Sequence, residues 1–218
     1  ILITGGAGFL GRHILSRLVA LGVARENIDI PRRETCDLRL AKSCEKAVSG
    51  KDLVIHLAGI TGSIDFHIQN PAAIFYDNLL VGIQTMEAAR RAGVRKFVTI
   101  GSVTEYPEDA PLPFKEEDLW VGFPEATHAP YTIAKKMLLV QAQAYRAQYG
   151  TRAVVVFPVN LYGPRDNFDA ETSHVIPAII RKIDTAIRRG DDEVILWGDG
   201  SPTREFLFVE DAAEAIVL

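Results

Sequence analysis

An apolar run, Ile1-Leu2-Ile3, leads directly into Thr4-Gly5-Gly6-Ala7-Gly8-Phe9-Leu10-Gly11. Few folds accept a strand that breaks on three glycines and re-emerges as a helix. The helix is read from Leu10, Ile14, Leu18 and Leu21, which share one face, while Arg12, Ser16 and Arg17 lie off it. Gly5 permits the tight turn. Gly8 lets backbone approach a bound group that a Cβ would block, and Gly11 lets the helix pack on the strand. The free N–H groups around Phe9 and Leu10 then face that group along the helix dipole, a cradle for a dinucleotide pyrophosphate. The spacing is Gly-x-x-Gly-x-x-Gly rather than the commoner Gly-x-Gly-x-x-Gly. Taken alone it also fits a strand–helix turn that holds no ligand.

The remaining chain alternates strand and helix patterns. Strands are expected at 1–4, 27–30, 53–57, 96–101, 153–158 and 194–197, and helices at 9–21, 40–49, 71–92, 130–149 and 175–189. Leu53–Leu57 and Ala153–Phe157 are almost continuously apolar, as parallel strands covered on both faces should be. The pattern predicts an α/β, Rossmann-like doubly wound parallel sheet over 1–160, with the start of a smaller C-terminal substrate domain over 161–218 interleaved with it. Segment 106–130 carries five prolines and the acidic cluster Glu116-Glu117-Asp118, and reads as an irregular surface excursion. In helix 175–189, Ile176, Ile180, Ile183 and Ile187 share a face expected to enter the core.

With a formal net charge of −4 and 48% hydrophobic residues, the 218-residue chain has no pull toward nucleic acid or an anionic membrane. No apolar run approaches a membrane span and no signal peptide is read, so a cytoplasmic protein is expected. Cys36 and Cys44 form no Cys-x-x-Cys pair and the five histidines no zinc-like cluster, so no metal is expected. Both ends, Ile1 and Leu218, fall inside apolar runs and read as cut rather than natural.

Tyr131 and Lys135 stand four apart on a helix pattern and share a face. A phenol with a pKa near 10 needs roughly 4 kcal/mol of help to ionise at pH 7. A neighbouring ammonium and a cationic nicotinamide are expected to supply it. Ser102, at the end of 96–101, can hydrogen-bond the oxygen that Tyr131 protonates. The bland readings are a helix-surface pair and an ordinary strand-ending serine.

These residues, with Asp37-Leu38, His56-Leu57-Ala58-Gly59, Asn78 before Gly82, and Ser102 four before Tyr106, make the whole chain resemble the extended short-chain dehydrogenases/reductases that act on nucleotide sugars. Asn160–Phe168, Ser173–Ala178 and Trp197–Phe206 bring it closest to that branch's combined epimerase/4-keto reductases. The resemblance implies hydride transfer between nicotinamide and sugar C4. Tyr131 moves the proton, Lys135 holds the ribose and tunes Tyr131, and Ser102 orients the sugar oxygen. Asp37 and Leu38 flank the adenine. Leu57, Ala58 and Gly59 line the way to the nicotinamide, and Pro158 belongs to the same cofactor site. Asn160 and Arg204 are expected on the substrate, Arg204 at its diphosphate, and His174 as an acid–base group. In that subgroup a cysteine follows the serine by two residues. Here Thr104 stands there, and its hydroxyl ionises too weakly to handle a carbon-bound proton. Redox at C4 is therefore expected, with the two-base C3/C5 epimerisation in doubt.

Arg32 and Arg33 follow strand 27–30 where an NAD enzyme places an acid, and they suit a 2′-phosphate. NADP(H) is favoured, with NAD(H) the alternative. A homodimer through 71–92 and 130–149 is expected from the resemblance. The rival readings are a 4-epimerase with tightly held NAD, a 4,6-dehydratase (disfavoured because Val103 and Thr104 replace its Asp-Glu pair), and a non-catalytic dinucleotide sensor.

Overall fold

Alternate residues of the first strands enter two different cores. In the computed structural model, which describes every residue except Glu171, Trp197 and Pro202, β1 (Leu2–Thr4), β2 (Leu53–His56), β3 (Lys96–Ile100) and β4 (Ala153–Val156) form one parallel sheet in that order. Leu2, Val54 and Phe97 face one side, packed with Cys44, Val48, Met86 and Leu138. Ile3, Ile55 and Val98 face the other, packed with Ile14, Leu18, Ala213 and Ile216. This is the period-2 alternation of a strand, apolar on both faces because both are covered.

The helices sort accordingly. α1 (Phe9–Ala20) covers the second face, and α2 (Ala41–Val48) the first. A short α3 (Ile64–Gln69) is capped by Ser63. The long α4 (Pro71–Arg91) and α5 (Ala129–Tyr149) lie against each other on the first face. Both start with proline in the first turn, where its missing N–H is harmless, and α5 ends on Gly150 at φ 69°.

Residues 27–30 fall short of a strand. Asp29 makes a single parallel bridge to Leu2, although Ile28 is buried beside β1. The segment still lies on the side of β1 away from β2. The chain therefore leaves β1 in one direction and returns on the other, creating a topological switch point between the carboxyl ends of β1 and β2. Thr4 ties this point together. Its hydroxyl accepts from the Ala58 N–H (3.3 Å) and hydrogen-bonds His56 Nδ1 (2.8 Å).

Three further expectations are corrected. Residues 194–196 form no strand, and Trp197 lies outside the described residues. The parallel partners in this region are instead β5 (Asn160–Tyr162) and β6 (Phe206–Phe208), a separate two-stranded sheet. β4 is not covered on both faces, because it is the outer strand and Val154 is 45% exposed. The isoleucine stripe of α6 (Val175–Arg189) is not core, since Ile180, Ile183 and Ile187 are all exposed. Among the described residues no helix or strand packs extensively on α6. The last helix, α7 (Val209–Val217), returns to α1 and completes the second core.

Candidate active site

The turn at the switch point is built from steric necessity. Gly5 has φ +69°, and a Cβ there would lie 2.8 Å from the Ala58 nitrogen. A Cβ on Gly11 would sit 2.5 Å from the Gly6 Cα, so only glycine lets α1 close on the turn. Gly8 differs: its backbone is extended (φ −75°, ψ −176°), and a Cβ would meet only the Gly5 carbonyl at 3.2 Å. That methyl would fill open space above the start of α1. No side chain caps this helix, so the first-turn N–H groups of Phe9, Leu10 and Gly11 are left for a ligand. The residues present fit a dinucleotide pyrophosphate.

Leu57 continues the crossover by donating its N–H to the Thr4 carbonyl (3.0 Å). Beyond Ala58, Gly59 lies where an added Cβ would be 3.0 Å from Asn78 Oδ1 and 3.9 Å from Lys135 Nζ. Asn78 is buried in α4 and grips both backbone groups of Ile60 at 2.8 Å. The glycine turn, 57–59 and Lys135 thus meet at one end of the sheet.

Ser102 lies two residues beyond β3 and caps a short 3-10 turn, Val103–Glu105. Its Oγ lies 2.7 Å from Thr104 Oγ1, and the Thr104 hydroxyl is exposed. The Val103 N–H donates to the Pro158 carbonyl (3.3 Å). Glu105 is fully buried, and its Oε1 accepts the Ser102 N–H at 2.8 Å.

The electrostatics of the protein's own groups work against a Tyr131 phenolate. Tyr131 is pushed up to about 12, first by burial and then by the Glu105 carboxylate. Lys135, buried in α5, is pulled down to about 8 by burial, with Glu105 acting in the opposite sense. The sequence argument weighed the ammonium and a bound nicotinamide. Desolvation of the phenolate and the Glu105 carboxylate act against both.

One histidine approaches the same ring, and two more act on that histidine. The buried His67 meets Tyr131 edge-on at 5.6 Å between centroids, and His128 lies 4.9 Å from His67. His128 Nδ1 bonds Glu125 at 2.6 Å. His174, exposed at the start of α6, acts electrostatically on His67. No group of acids, histidines and cysteines suited to a metal occurs among the described residues.

The other assigned positions are more scattered. Arg32 and Arg33 are exposed after the 27–30 segment. Asp37 is held by Arg39, which also grips Asp77, and this keeps the Asp37 carboxyl down at about 2. Leu38 has its side chain in the core beside Leu2 and Val54. Asn160 bonds the Glu205 carbonyl (3.1 Å), joining β5 to the approach of β6, and Arg204 turns back on the Thr203 carbonyl (2.7 Å). Among the described residues no hydrogen bond joins either to Ser102, Tyr131 or Lys135.

Glu105 and His67 were not read as site residues from sequence. Glu105 had a signal: Ser102-Val103-Thr104-Glu105 is the Ser-x-x-Glu spacing of a capping box, which the structure forms. His67 had none, because only the packing of α3 brings it to α5.

The model of the NAD dependent epimerase/dehydratase family matches residues 1–218. The chain belongs to that family. Among its relatives is a GDP-L-fucose synthase of Sinorhizobium fredii, 37% identical over 220 residues that cover 99% of this chain and 68% of the relative. A solved GDP-L-fucose synthetase from Naegleria fowleri bound to NADP superposes with a TM-score of 0.86 at 28% identity, covering 99% of this chain and 71% of that one. A GDP-mannoheptose C4 reductase from Campylobacter jejuni with NADP bound gives 0.89 at 25%, covering 99% and 73%. The chain spans about two thirds of the length of its curated relatives. The subgroup indicated by the sequence is thus the one the relatives' names carry.

Proposed function

We propose that this family member is an NADP(H)-dependent enzyme of the GDP-L-fucose synthase type that reduces a GDP-linked 4-keto sugar at C4. The observation that carries the reading is the convergence of the glycine turn, Gly59, Lys135 and the Ser102 turn at one end of the sheet, in a chain that resembles such enzymes along its whole length. Bound NADPH supplies the hydride.

Residues 1–160 hold the cofactor, and the part beginning at 161 contributes to the sugar-nucleotide site. Gly5, Gly8 and Gly11 keep the cradle open, while Arg32 and Arg33 pair with a 2′-phosphate. Lys135 stays mostly protonated at pH 7 and holds the ribose. Ser102 Oγ orients the sugar carbonyl, and Tyr131 delivers the proton to its oxygen. Asn160 and Arg204 hold the nucleotide sugar.

Burial and Glu105 hold the Tyr131 phenol in its protonated form, the form that reduction needs. The relatives named GDP-L-fucose synthase and GDP-mannoheptose C4 reductase support reduction over the rival 4-epimerase. Thr104 leaves His174 without a thiol partner, so the reading centres on C4. A cytoplasmic homodimer through α4 and α5 completes it.

The test uses the full-length protein, NADPH and a GDP-4-keto-6-deoxyhexose. Consumption of free NADPH is expected, with solvent deuterium at C3 and C5 reporting any epimerisation separately. Stoichiometric NAD that survives dialysis, with no NADPH consumption, would favour the 4-epimerase instead.

A further inference from the structure

One buried acid beside this machinery has no part in the chemistry described above. Glu105 has no exposed surface, and only one of its carboxylate oxygens is used, on the Ser102 N–H. Oε2 is buried without a hydrogen-bond partner. The carboxyl sits tightly under the turn, since a Cβ on Gly101 would lie 2.8 Å from Oε1. A buried carboxylate with half its acceptor capacity unused is destabilising unless a cation compensates it.

Three charged or titratable groups of α5 act on or feel it: Tyr131, Lys135 and Lys136. Lys136 is engaged elsewhere, donating to the Leu119 carbonyl and lying 4.7 Å from the Trp120 ring centre. Tyr106 follows in the chain and also feels Glu116, Glu117 and Asp118. Phe157 closes the side facing β4 and carries no charge. Lys135 is therefore the cation left to answer Glu105.

We propose that Glu105 is a positioning residue of the reductase site, its carboxylate clamping the Ser102 turn and serving as the buried counter-charge that keeps Lys135 an ammonium and Tyr131 a proton donor. The proposal rests on the C4-reductase reading. Burial raises the carboxyl to about 7, so its charge changes within the working range. Above that pH the carboxylate holds protons on Lys135 and Tyr131. Below it the acid is neutral, and glutamine becomes a close mimic.

The experiment is the pH profile of NADPH oxidation by wild type and E105Q. Glutamine keeps an acceptor for the Ser102 N–H but carries no charge. At pH 6 the two rates are expected to agree within about twofold, and the alkaline limb of E105Q to move down by at least about half a unit. Superimposable profiles would overturn the proposal, as would equal loss at every pH. A second measurement needs neither turnover nor E105Q. In protein labelled with carboxyl-13C glutamate, one side chain should titrate near neutrality, and K135M should move its midpoint upward. A midpoint unchanged by K135M overturns the counter-charge role even if no keto sugar is turned over, which separates this failure from failure of the reductase reading.

Discussion

Tyr131 cannot be judged from its partner in sequence alone. Four residues of spacing place Lys135 nearby, yet the phenol sits at about 12 because burial and Glu105 act on it more strongly. In reduction that phenol is a general acid, so Y131F should lower turnover by about 10²- to 10⁴-fold. NADPH affinity, followed by cofactor fluorescence, should stay within a few fold. Equal loss of binding and turnover would assign Tyr131 to cofactor binding alone. Arg32 and Arg33 make a second residue-level case. Both are exposed, and each could give a charge-assisted contact worth about 1.5–3 kcal/mol. The double change R32A/R33A should weaken NADPH by about tenfold or more while leaving NADH affinity nearly unchanged. Equal effects on both cofactors would remove the arginines from the 2′-phosphate site.

Elements carry the constraints that no single side chain does. α1 starts where it does because Gly11 allows its first turn to touch the backbone of Gly6. In G11A the new methyl meets backbone, which cannot rotate away. A loss of about 1–3 kcal/mol in urea unfolding is expected, together with loss of dinucleotide binding. Intact binding in a destabilised variant would show that the cradle does not depend on how α1 docks. Five of the seven described helices were legible in sequence to within a residue or two, because apolar spacing, leading prolines and terminal glycines are local signals, whereas the short α3 and the α7 that completes the second core were not read. The strands were less so. Residues 27–30 have strand composition, but only Asp29 bridges to β1. β5 and β6 escaped notice because each is three residues long and pairs across more than forty positions.

At the scale of the whole molecule, buried titratable groups set the response to acid. His56 is fully buried beneath the switch point, and burial lowers it to about 3. Below its unfolded value of 6.5, the unfolded chain takes up a proton that the folded one refuses, so stability falls as pH drops from about 6.5 toward 3. Lowered His67 acts in the same direction. Glu105 opposes them. Raised from 4.5 to about 7, it binds its proton earlier in the folded state, so stability rises as pH falls from about 7 to 4.5. Asp37, Glu87 and Glu125, all lowered to about 2, enter only below that window. E105Q should therefore lose stability between pH 6.5 and 4.5 more steeply than wild type, by up to about 1.4 kcal/mol per unit. Urea midpoints across that range check it, and parallel curves would contradict the assignment.

The sequence by itself indicated the glycine turn, five of the seven described helices and the parallel α/β class, and set Tyr131 and Lys135 four apart on one helix, because each depends on residues close in the chain. Tertiary structure alone decided the rest. It brought Gly59 and Asn78 to Lys135, buried Glu105 beneath Ser102, left the α6 isoleucines exposed and turned the phenol's pKa upward. Desolvation and long-range charge depend on what distant segments exclude from water, and spacing along the chain carries no record of that.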